Sequence, residues 1–514
     1  MANNVDHPTG RVDQALRELA DAAAIWSRTT AGERRDLLES TTRRLALYAR
    51  EWVDLACEAK RIAHDSATAG EEIGAGPLAL ARYLRLLETS HVSLAEGELP
   101  PLPGPVRDGL APVFPTHALA DRLLFRGYRA DVRLADGPVQ QQPPPDGGGP
   151  CVVLGAGNVS SLPATDALHY LFAESRPVLL KLNSVNEYLL PIFERVFHEL
   201  IDRNVLRIIT GDPEHGRHAV QHELTAKVHL TGSAATHAVI AADFDGPFAS
   251  ELGNVTPVMI VPGSYSRGDL RYHAENIATM ITNNASFNCI AAKLLVTCKS
   301  WPQRREFLDL VETRLAAIPP RFAYYPGALD RYARFCGRTA SDDAPPWVMM
   351  RDLKDDALLL REESFVGVAG ELALESDSPG AFVETATRFL NEKVWGNLGA
   401  NIIAPPTVDI RHATEHLRYG TIAVNCWCGV SYALMTPPWG GYPGGDSGNG
   451  FVHNTFFLRD PIQTILTGPF RARPRPAWFA THRRSREVMW SLFRFYSTGG
   501  WHHLPSLLFH ALRT

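Results

Sequence analysis

The apolar positions change rhythm twice along the chain. Between residues 11 and 97 they recur at helical spacing, as in "RVDQALRELADAAAIW" and "GERRDLLESTTRRLALYAREWVDLACEAK", with few breakers. Residues 98–150 are rich in proline and glycine and end in "QQQPPPDGGGP", which predicts irregular structure and a boundary. From residue 151, short β-rich runs alternate with helical stretches: "CVVLGAGN", "PVLLKLNS", "LRIITGD", "KVHLTGS" and "PVMIVPG". Runs so spaced predict βαβ units and a parallel sheet. Ligands of such sheets sit beyond the carboxyl ends of the strands.

Length and composition narrow the class. A chain of 514 residues exceeds one compact core, so about two or three domains are expected. Charged residues at 21% and hydrophobic ones at 45% give a globular balance. A net charge of −5 is too mild to imply nucleic acid as a partner. The seven cysteines, at 57, 151, 289, 298, 336, 426 and 428, form no CxxC pair. That argues against a disulfide framework or a zinc site and for a reducing compartment. "MANNVDHPTGRVDQ" lacks the apolar core of a signal peptide, and no apolar stretch reaches the ~18 residues a membrane-spanning helix needs. The expectation is a cytoplasmic, enzyme-sized protein.

Candidate chemistry falls on the turns. "NNASFNCIAAK" sets Cys289 at the end of a polar stretch, and such a thiol is either a packed hydrophobe or a nucleophile. "GAGNVS", 155–160, is a weak dinucleotide fingerprint, because Ser160 takes the third glycine position. Its Asn158 reads either as a turn residue or as an amide donor to an oxyanion. Lys181 ends "VLLK", where it is a solvated strand end or a binder of sugar hydroxyls or phosphate. Gly232 and Ser233 in "HLTGS" open a helix, whose N-terminus attracts phosphate. Glu251 stands in the otherwise neutral "SELGNVTP". His215, His218 and His222 share a helical face, but no acidic third ligand stands near them, so a metal site is not expected. Cys426 and Cys428 in "NCWCG" read as local packing rather than a redox pair.

The order and spacing of these segments resemble the aldehyde dehydrogenase superfamily over roughly residues 15–460. "GAGNV", "VLLKLNS", "LTGS", "ELGNVTP", "NASFNCIA", "EESFVGV", "NEKVWGNLGANIIA", "GTIAVNCW" and "PPWGGYPGGDSGNG" follow the family's order. The resemblance implies Cys289 as the thiolate that attacks an aldehyde, and Asn158 with the Cys289 backbone N–H as the oxyanion site. It implies Glu251 as the base that activates water against a thioester. For the cofactor, it implies Lys181 at the adenosine ribose, Gly232 and Ser233 near the pyrophosphate, Glu363 at the nicotinamide ribose and Phe365 packing nearby. Many NAD-preferring members carry glutamate three residues after the strand lysine. Ser184 stands there, so NADP is expected to be tolerated beside NAD.

The departures are Ser286 and Phe287 in place of Gly-Gln, Asn254 in place of the second glycine after Glu251, and His237 after the "TGS" turn. They mark a distant branch. The expected activity is oxidation of an aldehyde, apolar ones included, to a carboxylic acid. Two rivals stand beside it: a CoA-dependent acyl reductase of the same superfamily, and a catalytically silent scaffold.

The expected fold is α/β, with a Rossmann-like parallel-sheet cofactor domain (1–125 and 148–250), a catalytic domain (251–454) and a bridging β element (126–147 and 455–468). The resemblance implies that the bridging element pairs protomers into a homodimer or tetramer. The tail 469–514 is basic and rich in Trp and Phe. It suits either a membrane surface or a cover over the protein's own body.

Overall fold

The computed structural model describes residues 9–137 and 140–513. Its first layer is helical: Gly10–Arg28, Ala31–Ala59, Ala69–Ile73 and Ala79–Ala95. Val12, Ala15, Leu16, Leu19, Ala22 and Trp26 recur on one face of the first helix and are buried. Thr30 and Glu33 cap the second helix reciprocally, each side chain satisfying a free backbone N–H. Between the third and fourth helices, Gly74–Leu78 forms a π-helical turn containing Pro77. Gly76 leaves helical geometry there (φ −118°, ψ −113°). The carbonyl of Ala75 accepts from the N–H and Oγ of Ser161, which fastens this kink to the turn bearing Asn158.

Two sheets follow. The first has six strands in the order Gly448–Asn449, Phe248–Leu252, Lys227–Gly232, Cys151–Leu154, Val178–Lys181, Leu206–Ile209. It is parallel except for the antiparallel edge at Gly448–Asn449. The second has nine strands in the order Leu110–Phe114, Arg129–Leu134, Pro461–Thr467, Thr421–Val424, Gly399–Ile403, Thr256–Ile260, Ala292–Cys298, Val368–Leu374, Val348–Met350. Every residue of Thr256–Ile260, Ala292–Cys298 and Gly399–Ile403 is buried, as strands covered on both faces must be. The α/β architecture with parallel sheets is therefore as expected.

Two segments cross the expected domain boundaries. Leu110–Phe114 joins the catalytic-side sheet, because it pairs with Arg129–Leu134. Gly448–Asn449 joins the cofactor-side sheet beside Ser250 and Glu251. The bridging element, of which residues 138 and 139 lie outside the described residues, supplies Arg129–Leu134 and Pro461–Thr467. These pair with each other, and Pro461–Thr467 runs parallel to Thr421–Val424 of the same chain. Pairing of protomers through this element would have to use the outer edge of Leu110–Phe114.

The tail packs on the body. Its helix Ser485–Thr498 buries Val488, Met489, Phe493 and Phe495, and Arg471 and Arg475 pair with Asp269 and Glu275. Trp501, Leu508, Phe509 and Leu512 are exposed beyond it. No helix among the described residues is long and apolar enough to cross a membrane.

Candidate active site

Cys289 lies in the loop between the turn Asn283–Ser286 and the strand Ala292–Cys298. The loop is pinned on both sides: Thr256 donates to the Cys289 carbonyl at 3.1 Å, and the Trp427 indole donates to Ile290 O at 2.9 Å. Glu251 sits near the carboxyl end of Phe248–Leu252, at the junction of the two sheets. Its carboxyl faces the Cys289 thiol and Trp439, and the thiol donates to Asn288 Oδ1 at 3.8 Å. Burial raises Glu251 to about 8, the nearby Asp166 charge adds to this, and the polar neighbours Cys289 and Trp439 oppose it. Burial also pushes the Cys289 thiol well above its ordinary range, and the charge of Glu251 pushes the same way. At neutral pH both groups hold their protons, and the ionised forms grow as pH rises.

Asn158 follows the strand Cys151–Leu154 and is 7% exposed. Its carbonyl accepts from Lys60 Nζ at 3.3 Å, Asn284 Nδ2 at 2.9 Å and Tyr324 OH at 3.1 Å. Asn284 Nδ2 also donates to Phe287 O at 2.9 Å, so one side chain ties the asparagine turn to the cysteine loop. The loop carries three consecutive non-glycine residues at positive φ, Asn284 (52°), Ala285 (53°) and Ser286 (69°). Such backbone persists only where its surroundings hold it. Two buried lysines do so. Lys60 Nζ holds Asn284 Oδ1 and both carboxylate oxygens of Glu72 at 2.9 Å. Lys293 Nζ holds Ser286 O and Oγ and Val366 O, and its burial lowers it to about 7.

The departures from the family pattern have partners. Ser286 is held by Lys293, and Phe287 packs among Tyr324, Tyr325 and Phe365. Asn254 donates to Thr256 Oγ1 and Gly399 O. His237 stacks on Phe248. Sequence reasoning missed Lys60 and Glu72, which show only as helix charges in the sequence. Their test is stability. Lys60→Met leaves Glu72 buried without its ion, which costs about 3–5 kcal/mol. A large drop in Tm is expected, and an unchanged Tm would contradict the pairing.

Several features suit a dinucleotide. Glu363 Oε1 is buried without a hydrogen-bond partner. A Cβ at Gly253 would lie 2.2 Å from Glu363 Oε2, so only glycine lets that carboxylate stand there. Burial raises Glu363 to about 7, against the pull of Lys293 and the backbone N–H of Asn254. Residues 232–236, Gly232 and Ser233 included, are exposed at the start of the helix Ala234–Asp243. Ser233 caps the helix, its Oγ accepting from the Thr236 N–H at 3.1 Å, and an exposed helix N-terminus of this kind attracts anions. Lys181 is half-buried at its strand end and donates to Gly211 O at 2.7 Å. Ser184 opens the 3₁₀ turn that follows, capped by Asn183. Glu187 on that turn accepts from Gly211 N at 3.0 Å and acts on Lys181, a carboxylate the sequence reading missed. Phe365 is packed on Phe287 and Tyr325.

A cavity of about 150 Å³ reaches Cys289 and Glu251. Its walls include Ala75, Leu78, Val159, Leu162, Trp427 and Val430. Its other charged side chains are engaged: Glu71 by Arg321, and Arg82 by Asp121. The helical histidines are engaged too, His215 with Asp212 and both His218 and His222 with Asp13. Cys426 and Cys428 are buried, and the Cys428 N–H donates to Asn401.

Residues 149–320 match the model of the aldehyde dehydrogenase family. No curated protein matches the sequence. Among solved structures, the chain is similar to the NADP-dependent glyceraldehyde-3-phosphate dehydrogenase of Bacillus halodurans C-125, complexed with NADP. The TM-score is 0.65 at 16% identity, covering 90% of this chain and 91% of that one. It is similar to a mutant of aldehyde dehydrogenase C from Pseudomonas syringae, complexed with NAD+ and octanal, with TM-score 0.65 and 16% identity over 91% and 90% of the two chains. The lactaldehyde dehydrogenase of Escherichia coli gives TM-score 0.65 and 16% identity over 90% and 92%. These likenesses establish the fold.

Proposed function

We propose that this member of the aldehyde dehydrogenase superfamily oxidises an apolar aldehyde to its carboxylic acid with NAD or NADP. One observation carries the reading: the Cys289 thiol and the Glu251 carboxyl stand together at the wall of an apolar cavity. The thiol gives its proton up to solvent, and the sulfur attacks the aldehyde carbon. The Asn158 amide and the Cys289 N–H hold the resulting oxyanion, and a donor of this kind is worth about 10²–10³ in rate. Lys181, Gly232, Ser233 and Glu363 would hold the cofactor. When bound, NAD(P) accepts the hydride that leaves the substrate carbon. Cys289 then carries a thioester, and Glu251 takes a proton from the water that hydrolyses it. That base favours water over CoA as the acyl acceptor, since a thiol acceptor does not require a water-activating carboxylate. Incubation with octanal and either dinucleotide is expected to give equal amounts of octanoate and reduced cofactor. No reduction of either dinucleotide by any aldehyde in a graded series would contradict the reading.

Ser184 leaves room for a 2′-phosphate, so kcat/KM with NADP is expected within about tenfold of that with NAD, a step of ~1.4 kcal/mol. Glu187 is the nearby like charge, so Glu187→Gln is expected to move the ratio toward NADP. A strong NAD preference that survives Glu187→Gln would contradict the assignment.

A further inference from the structure

The tail helix Ser485–Thr498 forms one wall of the cavity at Cys289. Ser485, Met489, Leu492 and Tyr496 all line it, and their spacing puts them on one helical face. The helix is seated closely. A Cβ at Gly70 would fall 2.3 Å from Ser485 Oγ and 2.9 Å from the Ser485 carbonyl carbon, so the glycine admits the helix at that point. Gly74 stands opposite Met489, with 3.5 Å to the sulfur.

At its other end the helix is latched. Arg82 Nη1 donates to Tyr496 OH and, at 2.9 Å, to Asp121 Oδ1, while Arg82 Nε donates to Leu434 O. Arg85 Nε donates to Tyr496 O at 2.8 Å. Arg82, engaged through Nε and Nη1 with Nη2 left unpartnered and its side chain only 4% exposed, lies against Tyr496 and Phe125. Trp478 from the same tail completes that part of the wall.

We propose that this helix measures the length of the substrate. Building on the reading above, it assigns an unbranched aliphatic aldehyde whose chain lies along Met489 and Leu492, with Tyr496 setting the limit. The chemistry of the wall carries the class. Apolar side chains reward each buried methylene, while the wall's one described cation, Arg82, has its charge met by Asp121 and only Nη2 left without a partner.

The test is a linear series from propanal to decanal on the full-length enzyme. In the wild type, kcat/KM is expected to rise about fourfold per methylene, the worth of one buried CH₂, until the chain fills the cavity. Leu492→Trp and Met489→Trp, which fill the space, are expected to lower the decanal-to-propanal ratio by about tenfold or more, the loss of roughly two buried methylenes. Leu492→Ala, which opens it, is expected to move the break to longer chains. The second readout needs no turnover: cofactor-free protein is titrated with n-alkanols from butanol to decanol, followed by fluorescence of the wall tryptophans. The filling variants are expected to lose affinity for the longer alkanols first. An unchanged length order in all three folded variants, by either readout, would overturn the ruler. Length-dependent alkanol binding that shifts in the variants, with no aldehyde turnover, would uphold the ruler and overturn the proposed reaction instead.

Discussion

Cys289→Ala is expected to abolish aldehyde-dependent cofactor reduction. Loss of a covalent nucleophile that acts as a unit with its base typically costs on the order of 10⁶ in kcat. The methyl group keeps the loop, because the anchors of that segment are backbone atoms: the Cys289 carbonyl on Thr256 and the Ile290 carbonyl on Trp427. Tm is therefore expected to change little. Cofactor binding, followed by fluorescence titration, is expected to persist. Retained turnover in a folded Cys289→Ala protein would remove the thiol from the reaction. Cys426 and Cys428 are no substitutes, as both are buried and burial pushes the Cys428 thiol up to about 12.

Glu251→Gln is expected to separate the two halves of the reaction. The amide cannot take a proton from water, so hydrolysis slows by about 10²–10⁴, the usual worth of a positioned base. One equivalent of reduced cofactor should appear in the first turnover, followed by a slow steady state. The pH dependence has a definite sign. Burial holds Glu251 at about 8. Below that pH the carboxyl is protonated and cannot act as base, so wild-type kcat should climb with pH through about 8 and level off above. The glutamine variant should be flat across the same window. A variant that keeps the wild-type profile would show that another group titrates. A variant without a first-turnover burst, and with depressed thiol reactivity, would assign the thiol's own activation to Glu251 as well.

How much of this was legible follows from where each contact lies. Of the three proposed catalytic residues, Asn158 follows the strand Cys151–Leu154, Glu251 lies within Phe248–Leu252 and Cys289 precedes Ala292–Cys298. Each stands inside a short stretch whose type and order can be read, and the α/β layering follows from runs buried on both faces. Lys60 and Asn158 are 98 residues apart in sequence, and nothing local in "CEAKRIA" shows a lysine turned inward onto a carboxylate. The tail is a half-read case. Its spacing at 485, 489, 492 and 496 is visible as one helical face, yet what that face meets depends on Gly70 and Gly74, about four hundred residues earlier by the chain's numbering. Basic content suggested a surface role, whereas Arg471 and Arg475 are spent on Asp269 and Glu275. Glu187 escaped notice because the family pattern directs attention to Ser184, three residues before it. The strand Pro461–Thr467 falls inside the expected β element at 455–468, and register alone decides that it runs along Thr421–Val424 of its own chain.

The most direct measurement is the mass of Glu251→Gln protein quenched in acid after mixing with octanal and NAD or NADP, with the modified peptide then mapped. The account predicts one octanoyl group per chain, carried on Cys289. Unmodified protein despite cofactor reduction, or an acyl group on any other cysteine, would contradict it.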